Sequence, residues 1–425
     1  MDARRVAGWL AERGLRRGDR VAVVATNRPG YVEFVLGALR SGVVPVPVNP
    51  RLPRAQRDAI VTDADVALSV GDDRWPSWVH AAPAELSPYP LARPMHFTSG
   101  TTGAPKGVWS GVFDDETAQA FAADERDLWA PEPGDTYLVV SPLHHSAPLR
   151  SAISALLSGA SVVVAEAWDT GEVAGALRTA TGAFLVPTHL RRLLEHRFEA
   201  PAARKVLHAG EACPDEIKER SLEVFPEGAL WEFYGSTEGQ FTALAPGEWP
   251  DHRGSVGRAR PGRRLEISDA GADGVGAVWV TAPPGWRWEY WREPDKTARV
   301  WRGDTFTVGD VGRLDDDGYL YLAGRREDLI ISGGVNVYPA VVEGVLAQHP
   351  DVVEVAVFGV PDREWGQRVC AAVVSRAASA GEIAAWARDR LGPADRPKEI
   401  VVMDALPRTS TGKILRTELA GGFAS

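Results

Sequence analysis

Cysteine is almost missing from this sequence. Its 425 residues hold only Cys213 and Cys370, too few for a disulfide framework. Long apolar runs are missing as well: no stretch approaches the roughly eighteen uninterrupted apolar residues of a membrane span. The start, Met1-Asp2-Ala3-Arg4-Arg5, has no apolar signal core. No membrane insertion is therefore expected, and a cytoplasmic location is the default. Positive charge is in deficit, with 47 Lys+Arg against 57 Asp+Glu and a formal net charge of -10. That balance disfavours nucleic acid or an anionic membrane as the main partner, while a local basic cleft would still admit a polyphosphate. Lysine is scarcest of the charged types, six of the 47 cations. No internal repeat or long low-complexity segment is apparent.

What is present is the composition of a globular protein, 44% hydrophobic and 24% charged, in a chain long enough for two or three domains. Helical stripes (Ala3, Val6, Ala7, Leu10, then Tyr31, Phe34, Val35, Ala38) alternate with short strands at Arg20 to Thr26, Val43 to Val48 and Val66 to Val70. A polar helix starts near Pro53. This alternation predicts crossover connections and a mostly parallel sheet. Tyr137 to Val140, Val162 to Ala165 and Ala183 to Val186 read as further buried strands, and strands also precede His208-Ala-Gly-Glu-Ala212 and Trp231-Glu-Phe-Tyr-Gly-Ser-Thr-Glu238. The last hundred residues read β-α-β-β-α-β, with Val341, Val342, Val345 and Leu346 turned inward from a helix opened by Pro339. Composition turns strongly charged at Arg325-Arg326-Glu327-Asp328, which places a domain boundary after Arg325. The expected domains are 1–325 and 326–425.

The most informative stretch is Phe97 to Gly107, with four hydroxyls, three glycines and one lysine in eleven residues. Glycines let backbone N–H groups approach phosphate oxygens, Thr98, Ser99, Thr101 and Thr102 add donors, and Lys106 adds charge. The same composition also suits a flexible surface loop. Lysine usage favours the anion cradle, because two of the six lysines, Lys106 and Lys413, fall in Gly/Thr-rich loops. The spacing fits neither the P-loop nor the dinucleotide fingerprint. Two other features carry open readings. His144 and His145, between a strand and a helix, could bind metal, act as acid or base, or pack; no cysteine or third histidine is near in sequence to complete a metal site. The four tryptophans from Trp286 to Trp301 could stack a sugar or base, but packing in a strand-rich subdomain is favoured.

Thr98-Ser-Gly-Thr-Thr-Gly-Ala-Pro-Lys-Gly107 resembles the signature loop of the adenylate-forming enzyme superfamily, which includes acyl-CoA and aryl-CoA synthetases, peptide-synthetase adenylation domains and beetle luciferases. Tyr234-Gly-Ser-Thr-Glu238 and Leu406-Pro-Arg-Thr-Ser-Thr-Gly-Lys-Ile-Leu-Arg416 resemble two further family motifs, in the family's order. The resemblance implies an α/β fold, with a large N-terminal domain of layered sheets and helices and a small mobile α+β C-terminal domain. It implies ATP-dependent formation of an acyl adenylate and then, usually, transfer to a thiol, with ATP and CoA as co-substrates and Mg²⁺ as cofactor. Residue by residue, it puts Thr98, Ser99, Gly100, Thr101, Thr102, Gly103 and Lys106 on the ATP phosphates. Gly210, Glu211, Ala212, Glu232, Phe233, Tyr234, Gly235 and Ser236 lie around adenine, with Tyr234 as the stacking face, while Asp310 and Arg325 face the ribose. Thr237 meets the α-phosphate, Glu238 holds Mg²⁺, and Lys413 bridges the acid and the α-phosphate. Glu327 takes the hinge position, normally Asp or Lys, and Gly334 lines the CoA tunnel.

His145 and Ser146 match positions beside the acyl group, with His144 replacing the usual aromatic residue. Val308 stands where the family has threonine. The family's early subdomain starts late here, and much of the usual sequence between Val70 and Phe97 is expected to be absent. The chain ends twelve residues after Lys413, so no fused carrier domain is expected. The favoured acceptor is CoA, because Ile331 to Pro339 resembles the loop of many CoA synthetases. The alternatives are a free-standing adenylation enzyme loading a separate carrier protein, and a non-catalytic adenylate-binding protein. A mainly apolar acyl or aryl acid is the expected small-molecule partner.

Overall fold

The structure, a computed structural model, describes residues 3–75, 77–98, 105–325, 328–333, 335–408 and 414–423. The chain divides into two compact units, Met1–Arg264 with Val280–Phe306, and Leu265–Trp279 with Thr307–Ser425. The fold is α/β, as expected from the alternating pattern.

In the first unit, strand Arg20–Val24 lies between Val44–Val48 and Leu68–Gly71, all three parallel. The two helical stripes become Ala3–Ala11 and Tyr31–Ser41, which bury Val6 and Leu10 against Phe34, Val35 and Ala38. Gly37 sets their separation: a Cβ there would sit 2.6 Å from the Val6 Cβ and 2.8 Å from the Ala3 carbonyl oxygen. The polar helix near Pro53 is Arg54–Asp63.

The second sheet of this unit runs Arg258–Ala259, Gln240–Leu244, Leu230–Gly235, Lys205–His208, Gly182–Leu185, Thr136–Val139, Ser161–Val164. Its last five strands are parallel and its first two antiparallel. Two expectations need correction. Ser161–Val164 is the edge strand rather than a buried one, with Val163 45% exposed, because only Val162 and Val164 turn to the core. Trp231 to Gly235 lies within a strand instead of following one, so the turn begins at Ser236.

A short antiparallel sheet, Glu289–Tyr290, Lys106–Trp109 and Phe97–Thr98, carries the two ends of the phosphate-loop candidate. Helix Asp115–Trp129 packs on helix Ser146–Leu157, and Asp114 caps it by accepting from the Thr117 N–H at 2.8 Å.

In the second unit, Asp310–Leu314 pairs antiparallel with Leu320–Arg325. Arg325, the expected boundary, is therefore a strand residue of this unit. The C-terminal sheet runs Val335–Val337, Ile330–Ser332, Gly366–Ser375, Val352–Asp362, with Glu399–Val402 parallel to Gly366–Ser375. Helices Pro339–Leu346 and Ala380–Arg390 cover it, and Val342, Leu346, Ile383 and Ala387 are buried. Strand Val335–Val337 and helix Arg416–Phe423 were not anticipated. Val341 does not turn inward as expected. It is 48% exposed, since one helical step of about 100° carries it off the stripe of Val342, Val345 and Leu346.

Candidate functional site

Ser236 to Gly239 close a tight turn after strand Leu230–Gly235, with the Ser236 N–H donating to the Gly239 carbonyl at 2.7 Å and the Gly239 N–H to the Ser236 carbonyl at 3.3 Å. The Ser236 hydroxyl accepts from the Glu238 N–H at 3.2 Å. Thr237 and Glu238 occupy the tip. Glu238 is only 8% exposed, and its Oε1 accepts from the Tyr290 hydroxyl at 3.1 Å. Lys106 places its Nζ 3.8 Å from the centre of the Tyr290 ring, a cation–π contact. The structure thus brings the lysine of one motif and the glutamate of another onto a shared tyrosine. Sequence reasoning missed Tyr290, absorbing it into the tryptophan-rich stretch. The signal was faint: Tyr290 enters because Glu289–Tyr290 pairs with Lys106–Trp109, Tyr290 opposite Val108.

The tryptophan stretch itself packs. Trp288 contacts Tyr290, Trp301 and Phe306 with ring centres 5.0, 5.4 and 5.3 Å away. Beside Glu238, Trp288 and Phe306 border a small cavity of about 30 Å³, walled among others by Arg93, Phe241 and Trp286. His145 and Ser146 do not line it.

Those two residues instead sit at the N-terminus of helix Ser146–Leu157, His145 exposed and Ser146 half-buried. A third histidine joins the adjacent pair from a distance. His96 Nδ1 lies 3.1 Å from the His144 carbonyl, and the His144 and His145 rings are 4.3 Å apart. A carbonyl only accepts, so the His96 proton is on Nδ1. Burial, outweighing that hydrogen bond, pushes His96 down to about 3, and burial with His145 does the same for His144. Both are neutral at pH 7. Among the described residues no group of three or more His, Cys, Asp or Glu is arranged to hold a metal ion.

The adenine-side candidates divide. Gly210 follows strand Lys205–His208 with φ 93°, a left-handed conformation that favours glycine, and Gly210, Glu211 and Ala212 are exposed. The Glu211 carboxylate accepts from the Thr188 hydroxyl at 2.7 Å and from its N–H at 3.3 Å, tying this turn to helix Pro187–His196. Phe233 packs with Trp129, Phe184 and Leu207, and Tyr234 is 8% exposed, edge-on to Phe241 at 5.2 Å. The Glu232 side chain already has partners. Its carboxylate accepts from Lys218 at 3.2 Å, and Lys218 Nζ also lies 2.6 Å from His208 Nε2, all three buried.

In the second unit, Asp310 and Arg325 are direct cross-strand partners, with Arg325 Nε 3.3 Å from Asp310 Oδ1. Gly309, φ 87°, donates its N–H to the Thr307 hydroxyl at 3.1 Å, which shapes the turn into Asp310. Thr98 is described, its hydroxyl 3.5 Å from the Lys106 carbonyl. Ser99, Gly100, Thr101, Thr102, Gly103, Glu327, Gly334 and Lys413 lie outside the described residues.

Comparison with known proteins identifies the family. The family profile described as AMP-binding enzyme matches residues 1–94 and 93–284, and the AMP-binding enzyme C-terminal domain matches 341–413. A feruloyl-CoA synthase of Amycolatopsis sp is 32% identical over 476 residues, spanning 99% of this chain and 92% of that protein. A long-chain fatty acid–CoA ligase of Mycobacterium tuberculosis is 30% identical, spanning 100% and 92%. Among solved structures, the o-succinylbenzoate CoA synthetase of Bacillus subtilis in complex with its acyl-adenylate intermediate superposes with a TM-score of 0.87 at 29% identity, covering 98% of this chain and 91% of that one.

Proposed function

Because the chain belongs to the AMP-binding enzyme family, we propose that it activates a carboxylic acid with ATP, releasing pyrophosphate and forming an acyl adenylate, and then transfers the acyl group to CoA. It is an acid–thiol ligase of the AMP-forming kind. The observation that carries the reading is the convergence of Lys106 and Glu238 on Tyr290 beside Thr237. It gives a cation and a carboxylate on one tyrosine, the cation in the strand that follows the phosphate-loop candidate.

In this reading Thr98 to Gly103 and Lys106 cradle the ATP phosphates and Thr237 donates to the α-phosphate. Gly210 to Ala212 and Phe233 to Ser236 enclose adenine, and Asp310 accepts from the ribose hydroxyls next to Arg325. A single buried carboxylate suits Mg²⁺, which is held by one or two protein carboxylates with substrate phosphates and water. Glu238 would hold it, and the ion supplies charge neutralisation as pyrophosphate leaves. Residues 326–425 form the moving domain, turning about Glu327, with Lys413 serving adenylation and Gly334 lining the path of the thiol.

The acid is a mainly apolar acyl or aryl carboxylate, consistent with relatives named for feruloyl and long-chain fatty acyl substrates. A panel of acids screened for ATP-dependent hydroxamate formation tests the first half-reaction and ranks substrates. CoA compared with a phosphopantetheinylated carrier protein as acceptor tests the second. Absence of acid-dependent pyrophosphate exchange with every acid would instead support a non-catalytic adenylate-binding protein.

His145 and Ser146 give a sharper expectation. Substituting either with alanine should reorder kcat/KM among acids while the KM for ATP stays within about threefold, a pocket contact being worth about 1–3 kcal/mol. An unchanged ranking removes both residues from the acyl pocket.

A further inference from the structure

We propose that Arg93 is a positioning residue for adenylation, clamping the Ser236–Gly239 turn so that Thr237 and Glu238 are held ready for the α-phosphate and the metal ion. The inference rests on the phosphate and metal roles given above to those two residues.

The turn satisfies part of its own backbone. Its internal bonds use the N–H of Ser236, Glu238 and Gly239 and the carbonyls of Ser236 and Gly239. They leave the two tip carbonyls, both partly buried, without a partner inside the turn. Arg93 supplies a donor to both. Its Nη1 donates to the Glu238 carbonyl at 2.9 Å and its Nη2 to the Thr237 carbonyl, while Nη1 also lies 3.3 Å from the Ser110 hydroxyl. Two successive carbonyls meet one planar fork, a geometry that an ammonium cannot reproduce.

Arg93 also stands five residues before Thr98, and Ser110 follows the strand that carries Lys106. The clamp therefore ties both strands of the phosphate-loop hairpin to the turn bearing Glu238. Glu238 is gripped twice, its carbonyl by Arg93 and its carboxylate by Tyr290. This fixes the side chain before any ligand arrives, which is how a binding group avoids losing rotamer freedom on engagement. Burial and the nearby Arg150 guanidinium push Arg93 down to about 9, with Glu125 and Glu238 opposing, so the clamp is charged at neutral pH.

Calorimetric ATP binding with Mg²⁺ and with excess EDTA, on the full chain, tests the inference alongside melting temperature and acid-dependent pyrophosphate exchange. Arg93→Met should weaken Mg²⁺-ATP binding about tenfold and metal-free ATP binding by less, since Glu238 acts through the ion whereas Thr237 meets the α-phosphate without it. Arg93→Lys, which keeps the charge and can reach one carbonyl, should recover part of the metal-dependent affinity and provides the reading should the Met variant fail to fold. Folded variants that bind Mg²⁺-ATP as the wild type does, or that lose affinity equally with and without metal, overturn the positioning role. A wild-type protein with no metal-dependent ATP binding would overturn the functional reading and this inference together; wild-type metal dependence retained in both variants overturns the inference alone.

Discussion

Lys413→Ala is expected to lower acid-dependent ATP–pyrophosphate exchange by about 10²-fold or more, the scale of removing one preorganised transition-state donor. Thioester formation from supplied acyl adenylate should survive. Negative charge accumulates on the phosphorus oxygens as the acid attacks, and a compact ammonium reaching both the carboxylate and the α-phosphate offsets it at that moment only. The described lysines sharpen the case. Lys205 sits 3.1 Å over the Trp231 ring, Lys296 pairs with Glu293 at 2.6 Å, Lys398 donates to the Pro393 carbonyl at 3.2 Å, and Lys218 is buried against Glu232. Among the five described lysines, Lys106 is the one in contact with the Tyr290–Glu238 pair. Lys413 is the remaining lysine, preceded in sequence by Thr-Gly. Single-turnover measurement of each half-reaction decides the matter: equal losses in both would show the lysine to be structural.

The sequence reveals what depends on near neighbours and hides what depends on distant ones. Helices Ala3–Ala11 and Tyr31–Ser41 were legible because their stripes repeat within eleven residues, and the family because its motifs are contiguous. The run Ser161–Val164 declared a strand but not its place at the sheet edge, since β-branched residues suit central and edge strands alike. Val341 was misplaced because it lies at the outer margin of the apolar stripe, one step of about 100° from Val342. Tyr290 and Arg93 were invisible for another reason. They reach the Glu238 turn from 52 and 145 residues away, and an isolated tyrosine or arginine carries no local pattern. The opposition of Asp310 and Arg325 likewise came from strand register rather than spacing.

Glu232→Ala should destabilise the protein by about 3–5 kcal/mol, and Lys218→Ala by a similar amount, because each leaves an uncompensated buried charge. Lys218 is 1% exposed and Glu232 7%, and their contact is 3.2 Å. An ammonium only donates, so His208 Nε2 accepts from Lys218 and the imidazole proton sits on Nδ1, which is buried with no partner among the described residues. Burial and the Lys218 charge hold His208 well below its ordinary value. Its contribution to stability is therefore complete above its unfolded pKa, about 6.5, and declines as pH falls below that, when the unfolded chain gains a proton the folded one refuses. Replacing both partners with apolar residues, Lys218→Met with Glu232→Leu, removes the charges together and should cost much less than either alanine change, since desolvation of the pair offsets most of its attraction. The same variants decide what Glu232 does. Its carboxylate faces helix Asp215–Val224 through Lys218, so folded Glu232 variants should bind ATP within about twofold of wild type. Denaturant midpoints and ATP titrations on one set of proteins distinguish the readings: lost ATP affinity at unchanged stability would return the Glu232 side chain to the adenine site.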